Sequence, residues 1–265
     1  MHRLAYVSHA GERVELDGPT TYVGTALPLR TRAWEYTLGY RSVSGVSQTA
    51  REASAEAHFT DLAEADRARR VFDSDVSAGM PGRLVSGEWE RPAYCFGIEP
   101  TALFGGYVAA TLAFALTGQW RKYEEASFSS VPPVLAHGYP HGYPHTYGYA
   151  GATRSLDTGV SVPCRPRITV YGPVSEPRVQ VGGNVHRVSA TVPEGAYMVI
   201  DGLERTVKTH MQDGTVRDDF AAAARTDGEY VFEPIPPGVQ SVSWGGSYGI
   251  DVGWWIEESG LPWTA

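Results

Sequence analysis

The strongest constraint on the fold of this chain is a series of turn sequences spaced along its C-terminal third. Gly172-Pro173, Ile200-Asp201-Gly202, Asp213-Gly214 and Pro236-Pro237-Gly238 each adjoin a short run of β-branched or aromatic residues. Glycine permits positive φ, proline fixes φ at a turn value, and aspartate bonds to its own backbone. Short strands separated by such turns predict a β-sandwich module rather than an active site.

Composition supports a mainly β chain with two domains. The chain has 265 residues, with 30 glycines, 18 prolines and 11% aromatic residues, a mixture that favours many short strands. The net charge is −8 and no Lys/Arg cluster is present, so we expect no sequence-specific binding of nucleic acid. No apolar run of about 18 residues occurs, so we expect no membrane insertion. Cys95 and Cys164 lie in separate regions, which indicates cytosolic synthesis without a disulfide framework.

Residues 1–128 are predicted to form a β domain with one helix. Large side chains occupy alternate positions from Trp34 to Tyr40, as they would on one face of a strand, and Tyr107–Leu116 has the same alternation. Asp61 and Glu64 have capping-box spacing, and apolar residues then recur at helical intervals, which predicts a helix over 61–72. The order of strand, helix and paired strands favours a β-barrel or sandwich with a helix packed on it.

Residues 129–162 are predicted to be a linker, and residues 163–265 the β-sandwich. The linker carries the tandem repeat Gly138-Tyr139-Pro140-His141 and Gly142-Tyr143-Pro144-His145, whose prolines favour extended spacers. In the sandwich, Val188 to Val192 and Ile250 to Ile256 alternate as strand faces, and Gly253 would allow close approach of a neighbouring group.

His137, His141 and His145 recur every four residues and are the only candidates for a metal site. On a helix they would share one face. Glycine and proline between them prevent a helix, and no carboxylate or cysteine lies nearby, so we expect solvated or interface histidines instead.

We expect no catalytic or cofactor-binding residues, and therefore no enzyme. Gly245-Gly246-Ser247-Tyr248-Gly249 only superficially resembles a nucleophile elbow, because no helix follows it. The adjacent carboxylates Asp218-Asp219 and Glu124-Glu125 should diverge into solvent. Walker A, dinucleotide-binding and calcium-loop patterns are missing from the sequence.

Taken in order, these features resemble the distal tail protein (Dit) family, the hub component of siphophage tails. The segments that carry the resemblance are Leu29–Leu38, Asp61–Phe72, Leu84–Ile98, Thr117–Trp120, the Gly-Tyr-Pro-His repeat and the C-terminal turn series. The resemblance covers nearly the whole chain.

The resemblance implies an N-terminal barrel-like domain that assembles into a hexameric ring, and a galectin-like C-terminal sandwich outside it. Such a ring would join the tail tube protein to the tail tip or baseplate and leave a channel for DNA. The protein would be a structural component of the virion tail, assembled in the cytoplasm of the bacterial host. A closed ring needs a heterologous interface, and we predict that the barrel's strand edges and the polar segment Arg41–Ala57 contribute to it.

Two alternatives remain open at this point. The sandwich could be a carbohydrate-binding module that recognises the host surface. Trp244, Trp254, Trp255 and Trp263 could supply aromatic faces, but Asn184-Val185-His186-Arg187 has the galectin residue types in the wrong order. Alternatively, the chain could be the equivalent part of a gene transfer agent or a tailocin.

Overall fold

The computed structural model describes residues 4–24, 27–32, 34–131 and 152–263. It divides into two compact units, Met1–Lys122 with Glu257–Ala265, and Tyr123–Ile256. Both are built mainly from antiparallel strands, which confirms the mainly β fold class. The division differs from the sequence-based boundary at residue 128, because the chain crosses between units after Lys122 and again after Ile256.

The first unit contains a β-barrel. Its strands pair in the order β2-β1-β7-β8-β9-β6-β3, all antiparallel. A bridge between Asp17 and Tyr22 then links the two ends of this order, so the sheet curls into a barrel that is closed only where β3 pairs with the last two residues of β6. The elements are β1 (Leu4–Val7), β2 (Arg13–Glu15), β3 (Thr21–Tyr22), α1 (Leu27–Arg30), β4 (Glu35–Leu38), β5 (Val43–Ser47), β6 (Arg51–Phe59), α2 (Leu62–Ala78), β7 (Gly82–Ser86), β8 (Trp89–Phe104), β9 (Tyr107–Leu116) and the start of β10 (Trp120–Phe128).

Side chains at alternate positions of the barrel strands point inward, and they fill the barrel with apolar groups. The prediction for Tyr107–Leu116 is confirmed: β9 has these bounds, and Ala110, Leu112, Phe114 and Leu116 are buried. The ring of Tyr6 meets that of Phe72 edge-on at 4.9 Å, which ties α2 to the barrel interior. Leu261, from the end of the chain, belongs to the same core.

Helix α2 begins where the sequence predicts and ends six residues later than predicted, at Ala78 instead of Phe72. The carboxylate of Asp61 accepts a hydrogen bond from the backbone N–H of Ala63, as a helix N-cap does. The C-terminus is set by Gly79, whose φ is 65°. The predicted helix is too short because Asp75 occupies a buried position at which the helical pattern requires an apolar side chain.

Asp75 is fully buried and holds α2 to the first strand. Its carboxylate accepts hydrogen bonds from the hydroxyl of Tyr6 (2.6 Å) and the backbone N–H of His9 (3.1 Å), and it lies 2.5 Å from Nδ1 of His9. These groups satisfy the buried carboxylate.

We expect Asp75→Asn to lower the free energy of unfolding by about 2–4 kcal/mol, because an amide disrupts a buried, charge-assisted network. Urea denaturation followed by circular dichroism measures this. Asp73→Asn is the matched control, since Asp73 is exposed on the same helix. Equal stability of the two variants would contradict the role given to Asp75.

The second unit has two larger sheets, each with one buried face. One runs β19-β18-β17-β12-β21 and continues to the later part of β10, and the other runs β11-β20-β14-β15. Buried side chains alternate along β12, β14 and β18, as in a sandwich. The elements are β11 (Ala152–Asp157), β12 (Arg165–Tyr171), β13 (Val174–Ser175), β14 (Arg178–Val181), β15 (Asn184–Arg187), β16 (Thr191–Val192), β17 (Tyr197–Asp201), β18 (Thr206–His210), β19 (Val216–Asp218), a 3-10 turn (Phe220–Ala222), β20 (Val239–Trp244) and β21 (Ile250–Glu258).

Two predictions for this unit need correction. Strand β11 lies inside the range 129–162 assigned to a linker, and it pairs along its full length with β20. The strand was missed because polar residues separate its buried positions, Ala152 and Leu156. The continuous strand predicted from Val188 to Val192 is wrong: Val188 forms only an isolated bridge with Ala223, and β16 is two residues long. None of the described helices is long and apolar enough to cross a membrane.

Candidate functional site: an exposed arm and an apolar pocket

The most unusual surface of the first unit is the β4–β5 hairpin, residues 34–49, which we call the arm. Among the described residues, β4 and β5 pair only with each other. Every described side chain in the two strands is exposed. The prediction that Trp34 to Tyr40 alternate along one strand is correct only in part, because the strand covers Glu35–Leu38 and a register shift interrupts it. No layer of protein covers either face of this ribbon within the described part of the unit.

The arm exposes several large apolar side chains. Tyr36, Leu38 and Tyr40 are 59%, 70% and 94% exposed, and Val43 and Val46 are also exposed. A two-stranded hairpin is marginally stable alone, and a contiguous exposed apolar surface marks an interaction site. The arm is therefore a candidate interaction surface.

The base of the arm is fixed to the rest of the unit. The side-chain amide of Gln48 donates to the backbone carbonyl of Ser259 (3.2 Å). Within the arm itself, the hydroxyl of Thr49 donates to Glu35 (2.7 Å) and joins the two strands at the base. Next along the chain, Nη2 of Arg51 donates to the carbonyls of Pro28 (3.1 Å) and Thr31 (2.7 Å), near the end of α1. These bonds hold the base of the arm against the rest of the first unit.

A second apolar surface lies on the outer face of the barrel, and we call it the Phe96 pocket. It is a depression of about 310 Å³ lined by Glu52, Ser54, Phe96, Ala113 and Ala115 together with the backbone around them. Phe96 is 61% exposed, and its ring stacks on that of Tyr94 at 5.1 Å. Small alanines beside an aromatic wall leave room for an incoming apolar side chain.

The pocket lies next to a free strand edge. Strand β6 pairs with β9 over its whole length, whereas β3 covers only His58 and Phe59 on the other side. The remaining edge, Arg51–Ala57, pairs with no other strand in the described residues. This segment is part of the Arg41–Ala57 region that the sequence predicts to contribute to an interface. The Phe96 pocket itself was missed, although alternation from the buried Cys95 could have shown that Phe96 points outward.

The residues considered for metal or covalent chemistry do not form such a site. His137, His141 and His145 lie outside the described residues. Within the described residues, no three histidine, cysteine or acidic side chains cluster as metal ligands would. Cys95 and Cys164 are both buried and unbonded to each other, and burial raises the pKa of the Cys95 thiol to about 12, as expected for a small buried hydrophobe.

The adjacent carboxylates serve local structure. Asp218 accepts a hydrogen bond from the backbone N–H of Phe220 (2.9 Å). Asp219 is buried instead, and it accepts from the hydroxyl of Thr209 (2.5 Å) and from Arg217 (2.7 Å). The two groups therefore diverge, and they do not form a pair for acid–base chemistry.

Of the residues considered for sugar binding, the polar ones of β15 are engaged inside the second unit. Asn184 donates to the carbonyl of Tyr230 (2.8 Å), Arg187 pairs with Glu229 (2.9 Å), and the ring of His186 bonds to the carbonyl of Val231 (2.8 Å). Asn184 is the first residue of β15. Their shared role is to hold residues 229–231 against β15, so they are not presented to a ligand. Trp244 and Trp254 are buried, and the ring of Trp255 packs 5.1 Å from that of Tyr123. Trp263, which is 81% exposed, belongs to the first unit.

His186 should make the stability of this unit depend on pH. Burial lowers its pKa to about 4, so the folded state binds fewer protons than the unfolded state between that value and the ordinary histidine pKa of about 6.5. Stability therefore falls as the pH drops through this window, by at most about 3 kcal/mol. We expect His186→Gln to flatten this dependence, as measured by urea denaturation at pH 7 and pH 4.5. If the stability of His186→Gln falls with pH as steeply as that of the wild type, His186 is not the source of the pH dependence.

No protein-family model and no curated protein sequence matches the chain. Solved structures do match it along its whole length. The Dit protein of phage SPP1, described as a paradigm of the hub adsorption apparatus in phages that infect Gram-positive bacteria, has a TM-score of 0.60 and 11% identity, covering 97% of this chain and 99% of that chain.

Two chains of the phage p2 baseplate in its activated conformation match equally well. The chain from the structure with Sr has a TM-score of 0.61 and 11% identity, and the chain from the structure with Ca has a TM-score of 0.60 and 10% identity; each match covers 98% of this chain and 100% of that chain. At this level of identity the likeness is one of fold. This protein thus has the fold of the distal tail (Dit) protein of SPP1 and of phage p2 baseplate chains, as its sequence resemblance predicts.

Proposed function

We propose that the protein is a distal tail component of a siphophage-type tail, forming a hexameric ring that joins the tail tube protein to the tail tip or baseplate. The observation that carries this proposal is the exposed arm, an apolar ribbon with no cover on either face. The likeness of fold along the whole chain supports it, because the matching proteins are a tail hub protein and baseplate chains. The protein would act as structure in the virion tail, without catalysis.

A ring needs two different surfaces on each copy, one to insert and one to receive. The arm supplies the first, and the Phe96 pocket with the free edge of β6 supplies the second. Their charges also complement each other, since Arg41 lies at the arm tip and Glu52 lines the pocket. Insertion of the arm into the neighbour's pocket would bury its tyrosines and leucine and would give the ribbon the packing that it lacks.

The overall charge suits a channel through which DNA passes. At −8, the chain has no surplus of cations to bind phosphates, so DNA would not be retained by strong electrostatic contacts. This is the behaviour required of a conduit between tube and tip.

The mass of the protein in solution tests the proposal. Analytical ultracentrifugation over a range of concentrations should show conversion of a 28.8 kDa chain into a species of six times that mass, without stable intermediate sizes. A single monomeric species at the highest attainable concentration would count against ring assembly.

A further inference from the structure

Arg91 is a buried cation inside the barrel of the first unit. It lies on the inner face of β8 and is only 2% exposed. Leu84 of β7 is its cross-strand neighbour on one side. On the other side, the register that pairs Glu90 with Arg121 places Trp120 opposite Arg91. Leu84 and Trp120 are both fully buried, so the guanidinium belongs to an apolar row of the barrel interior.

Three hydrogen-bond donors of this pair have no acceptor in the described part of the chain. Nε and Nη1 of Arg91 and Nε1 of Trp120 are shielded from solvent, and no hydrogen-bond partner for them occurs among the described residues. Glu90 is next in sequence but points to the opposite face of the strand, where it pairs with Arg83 (3.0 Å) and Arg121 (2.8 Å). Almost all buried hydrogen-bond donors in proteins have an acceptor. We therefore expect these three donors to bind an acceptor from outside the described chain.

A second cation increases the demand for a negative charge. Burial and the nearby positive charge of Arg51 lower the pKa of Arg91 to about 10, which still leaves it protonated at neutral pH. Arg51 uses its guanidinium on the carbonyls of Pro28 and Thr31, which are neutral. In the described part of the unit, no carboxylate forms an ion pair with either arginine. Such a buried charge is strongly unfavourable until it is paired.

We propose that Arg91 and Trp120 form a binding site for an anionic oxygen group, with Arg51 adding to its positive field. The acceptor is either a free inorganic oxyanion, such as phosphate, or a carboxylate of a second copy of this chain. Both acceptors carry negatively charged oxygen atoms, which suit N–H donors around a fixed cation. The second source rests on the proposed ring, whereas the first does not.

Phosphate titration of the full chain tests the first source. The ¹H–¹⁵N signal of the Trp120 indole, assigned with Trp120→Phe, should shift saturably, while the indole signal of Trp254 in the other unit should not. Phosphate should also raise the Tm of the wild type by about 5 °C more than that of Arg91→Met. Arg83→Met, which removes an exposed arginine from β7, should respond like the wild type, and this control removes the general effect of salt. Arg91→Lys replaces Arg91→Met if the latter does not fold.

Ultracentrifugation of the same variants tests the second source. If the acceptor is a carboxylate of a neighbouring copy, Arg91→Met should weaken assembly at least about tenfold while Arg83→Met does not, and phosphate should leave the Trp120 signal unmoved. Wild-type assembly, measured alongside, shows whether the ring itself forms. An unmoved Trp120 signal together with normal assembly of Arg91→Met would overturn the proposal, because a trapped water molecule would then suffice.

Discussion

Leu38→Asp combined with Tyr40→Asp will leave the chain folded and abolish its assembly. Both side chains are exposed in the single copy, so we expect the free energy of unfolding to change by less than about 0.5 kcal/mol per site. In the assembled state the same substitutions would place two charges in a buried apolar contact. That should raise the concentration needed for assembly by more than about 100-fold. Ultracentrifugation measures the assembly, and thermal denaturation measures the fold.

The matched control is Val239→Asp, an exposed apolar position in the second unit, which should assemble normally. Phe96→Asp should have the same effect as the arm variant, because it damages the receiving surface. Mixing the two defective proteins gives the sharpest result. Each retains one intact surface, so an arm from one can enter the pocket of the other and the mixture should form dimers and nothing larger. Restored rings, or no dimers at all, would contradict the pairing of arm with pocket.

Gly172→Ala will severely destabilise the second unit. A Cβ atom at this position would overlap the backbone carbonyl oxygen of Pro193, and it would lie 2.8 Å from the carbonyl carbon of Pro193 and from the carbonyl oxygen of Val192. Backbone cannot move aside as a side-chain end can, and the N–H of Gly172 is itself bonded to the carbonyl of Ala196 (2.9 Å). We expect a loss of at least about 3 kcal/mol in the free energy of unfolding.

Gly183→Ala is the control for this substitution. Gly183 has no atom within 4 Å of the added Cβ and does not have positive φ, so its replacement should cost less than about 1 kcal/mol. Urea denaturation of the two variants measures the difference. If Gly172→Ala is no less stable than Gly183→Ala, the added Cβ does not clash with the backbone of Val192 and Pro193 as we expect.

The sequence predicts well those elements whose pattern and local chemistry agree. Asp61 is the N-cap of α2, and β21 has its even-numbered side chains buried from Ile250 to Ile256. Asp213 and Gly214 form the predicted hairpin turn, in which the carboxylate accepts from the N–H of Thr215 (2.9 Å) and Gly214 has a φ of 84°. In each case the residues that specify the element are adjacent in sequence, so a local reading is sufficient.

The errors occur where a partner distant in sequence decides the structure. Asp75 is acceptable inside α2 only because Tyr6 and His9 bond to it, and neither can be identified from the helix alone. Strand β11 exists because β20, more than eighty residues later, pairs with it. The Phe96 pocket is likewise formed by three strands whose register the sequence does not reveal. In these three cases, contacts between residues far apart in sequence determine the structure, and local sequence patterns do not reveal such contacts.

Cryo-electron microscopy of the purified protein tests the central claim most directly. We predict a ring of six copies around an open channel, with the β4–β5 arm of each copy lying in the Phe96 pocket of its neighbour. Isolated copies with solvent-exposed arms under conditions where the chain is folded, or a closed dimer with no channel, would contradict it.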